Sequence, residues 1–196
     1  MKRFSQPTFK PMFEVIPEGA EGIAKVSHFG VSKKESDWSS IRAAVKGSLE
    51  YVPEGVYCRL TVGQTLMMTD TAMEKRSNYT VVHEARGNVL IAGLGIGMVL
   101  LPILEKAEVQ KVTVIEKYGD VVKLVEPHVR AASKKNASKL KITEADIFEW
   151  QPLKGEKWDT IYFDIWPDIC TDNLKDMEKL HRKFARRKSS QEAWRG

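Results

Sequence analysis

The chain has 196 residues, of which 42% are hydrophobic and 29% are charged, which is enough to build one well-buried core. No apolar run reaches the ~18 residues of a membrane-spanning helix, and the first residues lead into Pro and Glu instead of the apolar core of a signal peptide. We therefore expect a soluble, cytoplasmic protein with no membrane partner. Its two cysteines, Cys58 and Cys170, are far apart, and its four histidines lack metal-ligand spacing, which argues against a disulfide framework and against a metal site.

The N-terminal part of the sequence predicts short strands and one helix. Residues 12–16 and 22–26 are β-type runs bounded by turn residues, which predicts two strands. A short helix is expected to begin at Ser36, whose hydroxyl can accept a backbone N–H, and to end at Gly47.

A hairpin and a second helix are predicted next. Residues 56–68 have the pattern of two strands around a turn at positions 63–64. The following helix is expected to be capped by Asp70 or by the threonine after it, with Glu74 returning a capping-box hydrogen bond, and to stop at Gly87.

From residue 88 onward, strand and helix patterns alternate. The predicted strands are residues 88–92, 111–115, 140–143 and 160–163, and the predicted helices are residues 98–106, 119–133 and 172–188. Strands separated by helix-length segments are typical of right-handed βαβ crossovers, so the predicted fold class is α/β, with a Rossmann-like, doubly wound parallel sheet. We divide the chain into an N-terminal β-rich extension with a lead-in helix (residues 1–86) and a shortened Rossmann-like domain (residues 87–196).

The first strand of this domain runs into a glycine-rich turn that contains Gly93, Gly95 and Gly97. Glycines permit positive φ angles and a close approach of a ligand to the backbone, and a helix start offers unpaired N–H groups, so such a turn suits a nucleotide-like ligand. A dinucleotide fingerprint needs glycine at position 98, which is Met98, so the spacing favours S-adenosylmethionine (SAM) over NAD. The alternative is a tight turn with a purely structural role.

Three acidic residues follow the next three strands. Glu116 can accept hydrogen bonds from both hydroxyls of a ribose, Asp146 can accept one from an adenine amino group, and Asp164 could orient or deprotonate a nucleophile. The alternatives are an exposed strand end for the first, a helix N-cap for the second and a turn cap for the third. Since parallel strands end at one edge of a sheet, the three in order favour the functional interpretation. Tyr162 and Trp166 could wall a substrate pocket or bind a cation, or instead pack in the core.

These motifs resemble those of the class I SAM-dependent methyltransferases and, within that superfamily, most closely the spermidine synthase branch. The resemblance covers just over half of the chain. Gln64, the Thr-Asp-Thr run after it, the glycine turn, Glu116 and Asp146 follow the order of that branch. The resemblance implies that Glu116 holds the ribose, Asp146 the adenine and Gln64 the methionine moiety, and that Asp164 is the acid near the nucleophile. The candidate residues are therefore Gln64, Gly93, Gly95, Gly97, Glu116, Asp146 and Ile147 for the cofactor, Asp164 for catalysis, and Asp70, Tyr162 and Trp166 for the substrate pocket.

The sequence departs from the family pattern in three places. Ile96 stands where polyamine synthases usually have an acid for the amino group of the methionine moiety, and Ile91 stands where methyltransferases have an acid before the glycine turn. After Asp164, the residues Ile-Trp-Pro-Asp168 replace the usual Ser or Thr and a second acid.

The sequence therefore predicts a transferase that uses SAM, or decarboxylated SAM, and moves a methyl group to a small-molecule nucleophile. One alternative is aminopropyl transfer of the spermidine synthase type, with an amine as substrate. A catalytically degenerate SAM-binding protein is another, and an NAD-dependent enzyme is disfavoured by Met98.

The C-terminal part raises two further expectations. A complete methyltransferase fold would have three more strands after the fourth, but 32 residues follow Asp164, which predicts a C-terminally truncated sheet. We expect its edge to be covered by N-terminal strands or by a second subunit in a homodimer. The net charge of +5 is concentrated in residues 175–188, which carry seven Lys and Arg; this face could contact nucleic acid, but a solvated helix face is the commoner explanation.

Overall fold

A computed structural model describes residues 8–47, 51–166 and 173–189 and the backbone of residues 194–195. The chain forms two sheets. The first is antiparallel, in the order β1 (Gly19–Glu21), β2 (Ala24–Val31), β3 (Gly55–Val62) and β4 (Thr65–Thr69). The second is parallel, and its strands are β5 (Gly87–Ala92), β6 (Val109–Glu116), β7 (Leu140–Glu144), β8 (Thr160–Phe163) and β9 (Trp194–Arg195), in the order β7-β6-β5-β8-β9.

Helices cover both faces of the parallel sheet. The α-helices of the described chain are α1 (Lys33–Lys46), α2 (Ala72–Ser77), α3 (Tyr79–Glu84), α4 (Leu100–Glu105), α5 (Gly119–Ser133) and α6 (Asn173–Phe184), of which α3, α4 and α5 pack on one face of this sheet and α6 on the other. Alternate residues of β5 point to opposite faces, so Val89 and Ile91 join the core that includes α3, α4 and α5, while Leu90 and Ala92 pack with Phe184 of α6. The predicted α/β class with a doubly wound parallel sheet is confirmed, as are the hairpin of β3 and β4 and the bounds of α5.

The predicted strand at residues 12–16 is wrong, because Met12–Glu14 is a 3-10 helix that follows Pro11. The predicted N-cap of α1 is also wrong. Ser32, not Ser36, precedes the helix: its hydroxyl accepts the N–H of Glu35, whose carboxylate accepts the N–H of Ser32 at 2.8 Å. This pair is a complete capping box, which Ser36 cannot form.

The helix predicted from residue 70 to Gly87 is divided. Asn78 separates α2 from α3, and Thr71 precedes α2 without a side-chain capping bond. Gly87 starts β5 instead of ending a helix; its φ is +62°, and a Cβ there would lie 2.2 Å from a carboxylate oxygen of Asp159. Only glycine fits at position 87, because the backbone enters β5 with a positive φ angle and Asp159 occupies the space of a Cβ.

The edge of the parallel sheet at β8 is paired by β9, through Ile161 with Trp194 and Tyr162 with Arg195. The N-terminal strands form their own sheet, so the prediction that they cover this edge is wrong. Within the described parts of the chain, no helix combines the length and apolarity needed to cross a membrane.

The basic C-terminal segment holds the protein together through several of its charges. The predicted helix at residues 172–188 is α6 followed by the 3-10 helix Ala185–Arg187, and residue 172 lies outside the described residues. Lys183 donates to the carbonyl oxygens of Ile147 and Phe148, at 3.0 and 2.6 Å, and Arg187 donates to that of Leu153 at 2.9 Å. Lys179 and Arg182 pair with acids one turn earlier on α6, so at least four of the seven basic residues bind protein groups.

Asp70 ties the N-terminal segment to the antiparallel sheet. The side chain is fully buried, one carboxylate oxygen accepts the N–H of Met12 at 2.8 Å, and the other accepts the N–H of Cys58 at 2.7 Å. Lys75 supplies a positive charge at 3.8 Å. Asp70 therefore serves the packing of the sheet and is not the side-chain cap predicted for the next helix.

Replacement of Asp70 by alanine leaves two buried N–H groups without an acceptor, so we expect Asp70→Ala to lower the free energy of unfolding by about 2–5 kcal/mol. Urea unfolding measures it. Asp70→Asn keeps one acceptor oxygen and should lose less, and Asp37→Ala, at an exposed position of α1, should change the value by less than ~0.5 kcal/mol. An Asp70→Ala variant as stable as Asp37→Ala would contradict this role.

Candidate functional site

A cavity of about 200 Å³ lies where the carboxyl ends of the parallel strands meet the antiparallel sheet. The antiparallel sheet contributes one wall, made of Leu60, Val62, Met67 and Met68. The parallel domain contributes Gly93, Gly95, Val121 and residues 115–118, 145–148 and 164–166. The chain order of the parallel strands reverses direction between β5 and β8, and open α/β sheets bind their ligands at such a switch point.

The glycine turn is shaped by the protein groups packed against it. Gly93 has φ +96°, and a Cβ there would lie 2.1 Å from the carbonyl oxygen of Asp164. Gly95 has φ +52°, and a Cβ there would lie 2.6 Å from the sulfur of Met68. Gly97 packs against Val129 and is not part of the cavity lining. The first two glycines therefore allow β8 and β4 to approach the turn closely, and both also line the cavity.

Glu116 is the buried acid of the cavity. It ends β6, is 6% exposed, and its two carboxylate oxygens accept the N–H groups of Leu94 and Tyr118 at 2.7 and 2.8 Å. Burial raises the pKa of Glu116 above its ordinary value, and these N–H groups oppose that change because they stabilise the charged form. Glu116 therefore fixes the glycine turn to the end of β6. The N–H of Lys117 contributes in the same direction, and since a carboxylate has about four acceptor positions, Glu116 keeps room for a further donor.

Asp146 lines the cavity from the turn after β7, the strand next to β6. One oxygen accepts the N–H of Phe148 at 2.9 Å, and the other pairs with the ammonium group of Lys117 at 2.9 Å. These two contacts hold the pKa of Asp146 below its ordinary value, the N–H of Phe148 having the larger effect. Lys183 of α6 donates to two carbonyl oxygens of this turn and so joins the turn to α6. The helix N-cap that the sequence posed as the alternative is wrong, because residues 147–149 form a turn and no helix follows; Asp146 caps this turn and also lines the cavity.

Asp164 follows β8 and lines the cavity beside Trp166. Burial, and then the negative charge of Glu74, raises the pKa of Asp164 to about 7. Tyr162, two residues earlier, opposes part of this rise because its contact with Asp164 stabilises the charged carboxylate. A carboxylic acid with this pKa can gain or lose a proton near neutral pH, which is the property required of a general acid or base.

The remaining predicted site residues occupy different places. Gln64 is exposed at the hairpin turn between β3 and β4, and Asp70 is enclosed in the antiparallel sheet; neither lines the cavity. Ile147 and Trp166 do line it, whereas Tyr162 reaches it through its neighbour Asp164. Their functional roles stay predictions.

Sequence reasoning did not identify several residues of the site. Lys117 follows Glu116 directly, and this adjacency was the available signal for it. Glu74 and Asn78 are one helical turn apart, but nothing local in the sequence indicates that this turn faces β8. The sequence places Met68 in a strand, but its position against Gly95 depends on the packing of two sheets.

Substitution of two glycines by alanine distinguishes backbone strain from a steric clash of the added methyl group. Gly93 and Gly155 have similar φ angles, +96° and +88°, but a Cβ at Gly155 meets nothing within 4 Å. We expect Gly93→Ala to be less stable than Gly155→Ala by about 1–3 kcal/mol, because the added methyl group collides with the backbone of Asp164. Urea unfolding of both variants tests this, and equal losses would mean that the approach of β8 to the turn is not constrained.

Comparison with known proteins gives likenesses among solved structures. No family model matches the sequence, and no curated protein matches it. The chain is similar to spermidine synthase from Thermotoga maritima, with 20% identity over 76% of this chain and 48% of that chain and a TM-score of 0.46. A spermidine synthase in complex with the transition state analogue AdoDATO gives 18% identity over 76% and 47% of the two chains and a TM-score of 0.44. Coclaurine N-methyltransferase bound to N-methylheliamine and SAH gives 23% identity over 53% and 27% and a TM-score of 0.41.

This chain spans about half the length of the two spermidine synthases. The solved structures similar to it include both kinds of protein that its sequence resembles, spermidine synthases and methyltransferases.

Proposed function

We propose that this protein is a transferase that binds SAM, or decarboxylated SAM, and moves a methyl group to a small-molecule nucleophile. The observation that carries the proposal is the meeting of Gly93, Glu116, Asp146 and Asp164 in one cavity, each from the carboxyl end of a different parallel strand. This is where an α/β sheet binds a nucleoside ligand. The acids differ in their surroundings, so each suits a different part of such a ligand.

The nucleoside half fits the end of the cavity formed by β6 and β7. The acceptor capacity that Glu116 keeps suits a hydroxyl of a ribose, and the adenine ring would lie against Ile147 and Phe148, which line the cavity beside Asp146. Lys117 would give up part of its contact with Asp146 to an adenine amino group. Lys117 is 61% exposed, so water can replace the contact that it loses.

The transfer itself would be an in-line displacement at the carbon next to the sulfonium. The nucleophile forms a bond to that carbon, the carbon–sulfur bond breaks, and the electron pair of that bond leaves with the neutral thioether. The proton of the nucleophile passes to Asp164 or to water. Positioning and exclusion of water by the antiparallel sheet would supply most of the rate enhancement.

Aminopropyl transfer is the second candidate, because the described lining of the cavity near Asp164 is acidic or apolar. Leu60 and Met68 are apolar, and the one cationic side chain in that lining, Lys117, already pairs with Asp146. The carboxylate of SAM would find no described cation there, whereas the amino group of decarboxylated SAM would meet an acid. The alternative from a different functional class is a protein that binds SAM without turnover. Incubation of SAM with a panel of amines separates this alternative from the two transferases, because only a transferase consumes SAM.

Calorimetric titration of SAM, decarboxylated SAM and NAD tests the proposal. We expect SAM or its decarboxylated form to bind, and Glu116→Ala to weaken that binding at least tenfold, which is ~1.4 kcal/mol. Glu144→Ala is the matched control, because Glu144 ends the neighbouring strand, pairs in register with Glu116 and is exposed. Tight binding of NAD alone, or no binding of any of the three to folded protein, would overturn the proposal.

The affinity should also depend on pH through Glu116. Ribose hydroxyls donate to the ionised carboxylate, so the ligand favours the charged form, and burial raises the pKa at which this form is lost. We therefore expect the affinity of the wild type to fall as the pH is lowered toward the raised pKa of Glu116. In Glu116→Gln this part of the pH dependence should vanish; an identical pH profile in that variant would exclude a role for Glu116 in it.

A further inference from the structure

Helix α1, which connects β2 to β3, presents its large apolar side chains to solvent. Trp38, Ile41 and Val45 are 58%, 54% and 83% exposed. Within α1, all of which the structure describes, Ala43 is the one buried residue. Single exposed apolar residues are common on protein surfaces, but three along one face of a helix mark an interaction surface.

The three apolar residues and Lys34 form one line along the helix, which we call the α1 stripe. Its positions, 34, 38, 41 and 45, are separated by four, three and four residues, which is the spacing of the contact seam in a coiled coil. The opposite side of the helix faces the protein: Ala43 is buried there, and the hydroxyl of Ser39 accepts the N–H of Val52 at 3.0 Å. Small residues therefore attach α1 to the rest of the chain, and the stripe points outward.

The helix that carries the stripe is closed at both ends by local contacts. Ser32 and Glu35 form the capping box at its start, and Gly47 ends it with φ +63°. The capping box uses the Oε2 atom of Glu35, which accepts both the N–H and the hydroxyl of Ser32. The Oε1 atom of Glu35 is left for another donor. A partner would thus meet a preformed surface, which lowers the entropy lost on association.

A second copy of the chain complements the α1 stripe when the two helices run antiparallel. Trp38 of one copy then packs against Ile41 of the other, and the two-fold axis repeats this contact. Lys34 lies beside Val45 of the other copy, where its aliphatic stem covers Val45 while its ammonium group reaches water. A parallel pair would instead place the two Lys34 side chains next to each other, and these like charges would repel.

The charges beside the stripe are complementary in the same arrangement. Glu35 and Arg42 are seven residues apart, so they border the same edge of the stripe. Antiparallel pairing brings Glu35 of each copy next to Arg42 of the other, which gives an ion pair on each side of the two-fold axis. We propose that two copies of this chain associate by antiparallel packing of their α1 stripes.

The stripe fits a second copy better than it fits a lipid surface. A helix that lies on an anionic bilayer has a basic polar face, whereas acids border both edges of the α1 stripe, Glu35 on one and Asp37 on the other. One pair of 14-residue helices buries less area than a permanent dimer interface, so the association should be weak. This surface differs from the sheet edge at which the sequence predicts a second subunit, since β9 pairs that edge.

Sedimentation equilibrium of the full chain tests the proposal. We expect the apparent mass to rise from the 22.2 kDa of one chain toward twice that value as the protein concentration is raised from about 1 µM to about 1 mM. Ile41→Glu buries a charge in the middle of the stripe and should move the midpoint about tenfold or more to higher concentration. Leu174→Glu is the matched control, because Leu174 is 59% exposed on α6, and it should behave as the wild type.

Charge reversals test the orientation of the two helices. Arg42→Glu replaces the attraction across the interface by repulsion between two acids, and it should weaken the association about threefold or more. Lys33→Glu makes the same change of charge at an exposed position on the far side of α1 and should not weaken it. Equal weakening by both variants would mean that net charge alone matters and would exclude the antiparallel pairing.

The remaining outcomes also decide. A constant mass of one chain over this range would rule the proposal out, as would a dimer that Ile41→Glu leaves intact. Binding of monomeric protein to phosphatidylglycerol vesicles, lost in Ile41→Glu, would assign the stripe to a lipid surface instead. Far-UV circular dichroism establishes that each variant is folded. If Ile41→Glu does not fold, Trp38→Ala replaces it, because this change removes exposed apolar area without adding a charge and should also weaken the association.

Discussion

The whole site depends on how closely the end of β8 approaches the glycine turn after β5. The N–H of Asp164 donates to the carbonyl oxygen of Ala92 at 2.8 Å, and the N–H of Gly93 donates to that of Ile115 at 2.9 Å. Three strand ends are thereby joined at one point, with no room for a side chain at position 93. This brings the acid of β6 and the acid after β8 into the same cavity, although β5 lies between these strands in the sheet.

The antiparallel sheet is the second element that the cavity needs, and it is fastened to the parallel domain by specific contacts. Asp120 at the start of α5 accepts the N–H of Ile23, and it occupies the space that a Cβ at Gly22 would need. Met68 reaches the glycine turn in the same way at Gly95. The hairpin therefore closes the apolar side of the cavity because two glycines, one on each side of the contact, let the two layers come close.

Much of this arrangement could be predicted from the sequence, because the parallel domain follows local rules. An apolar strand that ends in an acid, repeated along the chain, determines both the sheet and the edge at which Glu116 and Asp164 meet. The N-terminal region follows no such rule. Met12 lies in a 3-10 helix because its N–H binds a carboxylate 58 positions away, and this contact is invisible to any local pattern.

The same limit explains which parts of the site were missed. The sequence predicts a capping role for Glu74, since a capping box is a local signal, whereas its influence on Asp164 arises only in the folded chain. The Ser32 and Glu35 pair shows the opposite case: the correct signal was local, but a second serine four residues later has the same preference for an N-cap. Local rules thus identify the kinds of residue that are possible, and tertiary contacts select among them.

The three acids of the cavity have different protonation behaviour because of the donors that surround them. Asp146 has an N–H donor and Lys117, so its charged form is favoured and its pKa is lowered. Glu116 has N–H donors but lies buried, so its pKa is raised in spite of them. Asp164 is buried next to a second acid, and its pKa is raised to about 7. Proton exchange near neutral pH requires a group whose two forms have similar free energies there, and Asp164 comes nearest to this condition because its charged form receives the least support. The division of labour therefore follows from the supply of donors along the cavity: the acids that receive N–H donors are suited to holding a ligand, and the poorly supported acid is suited to moving a proton.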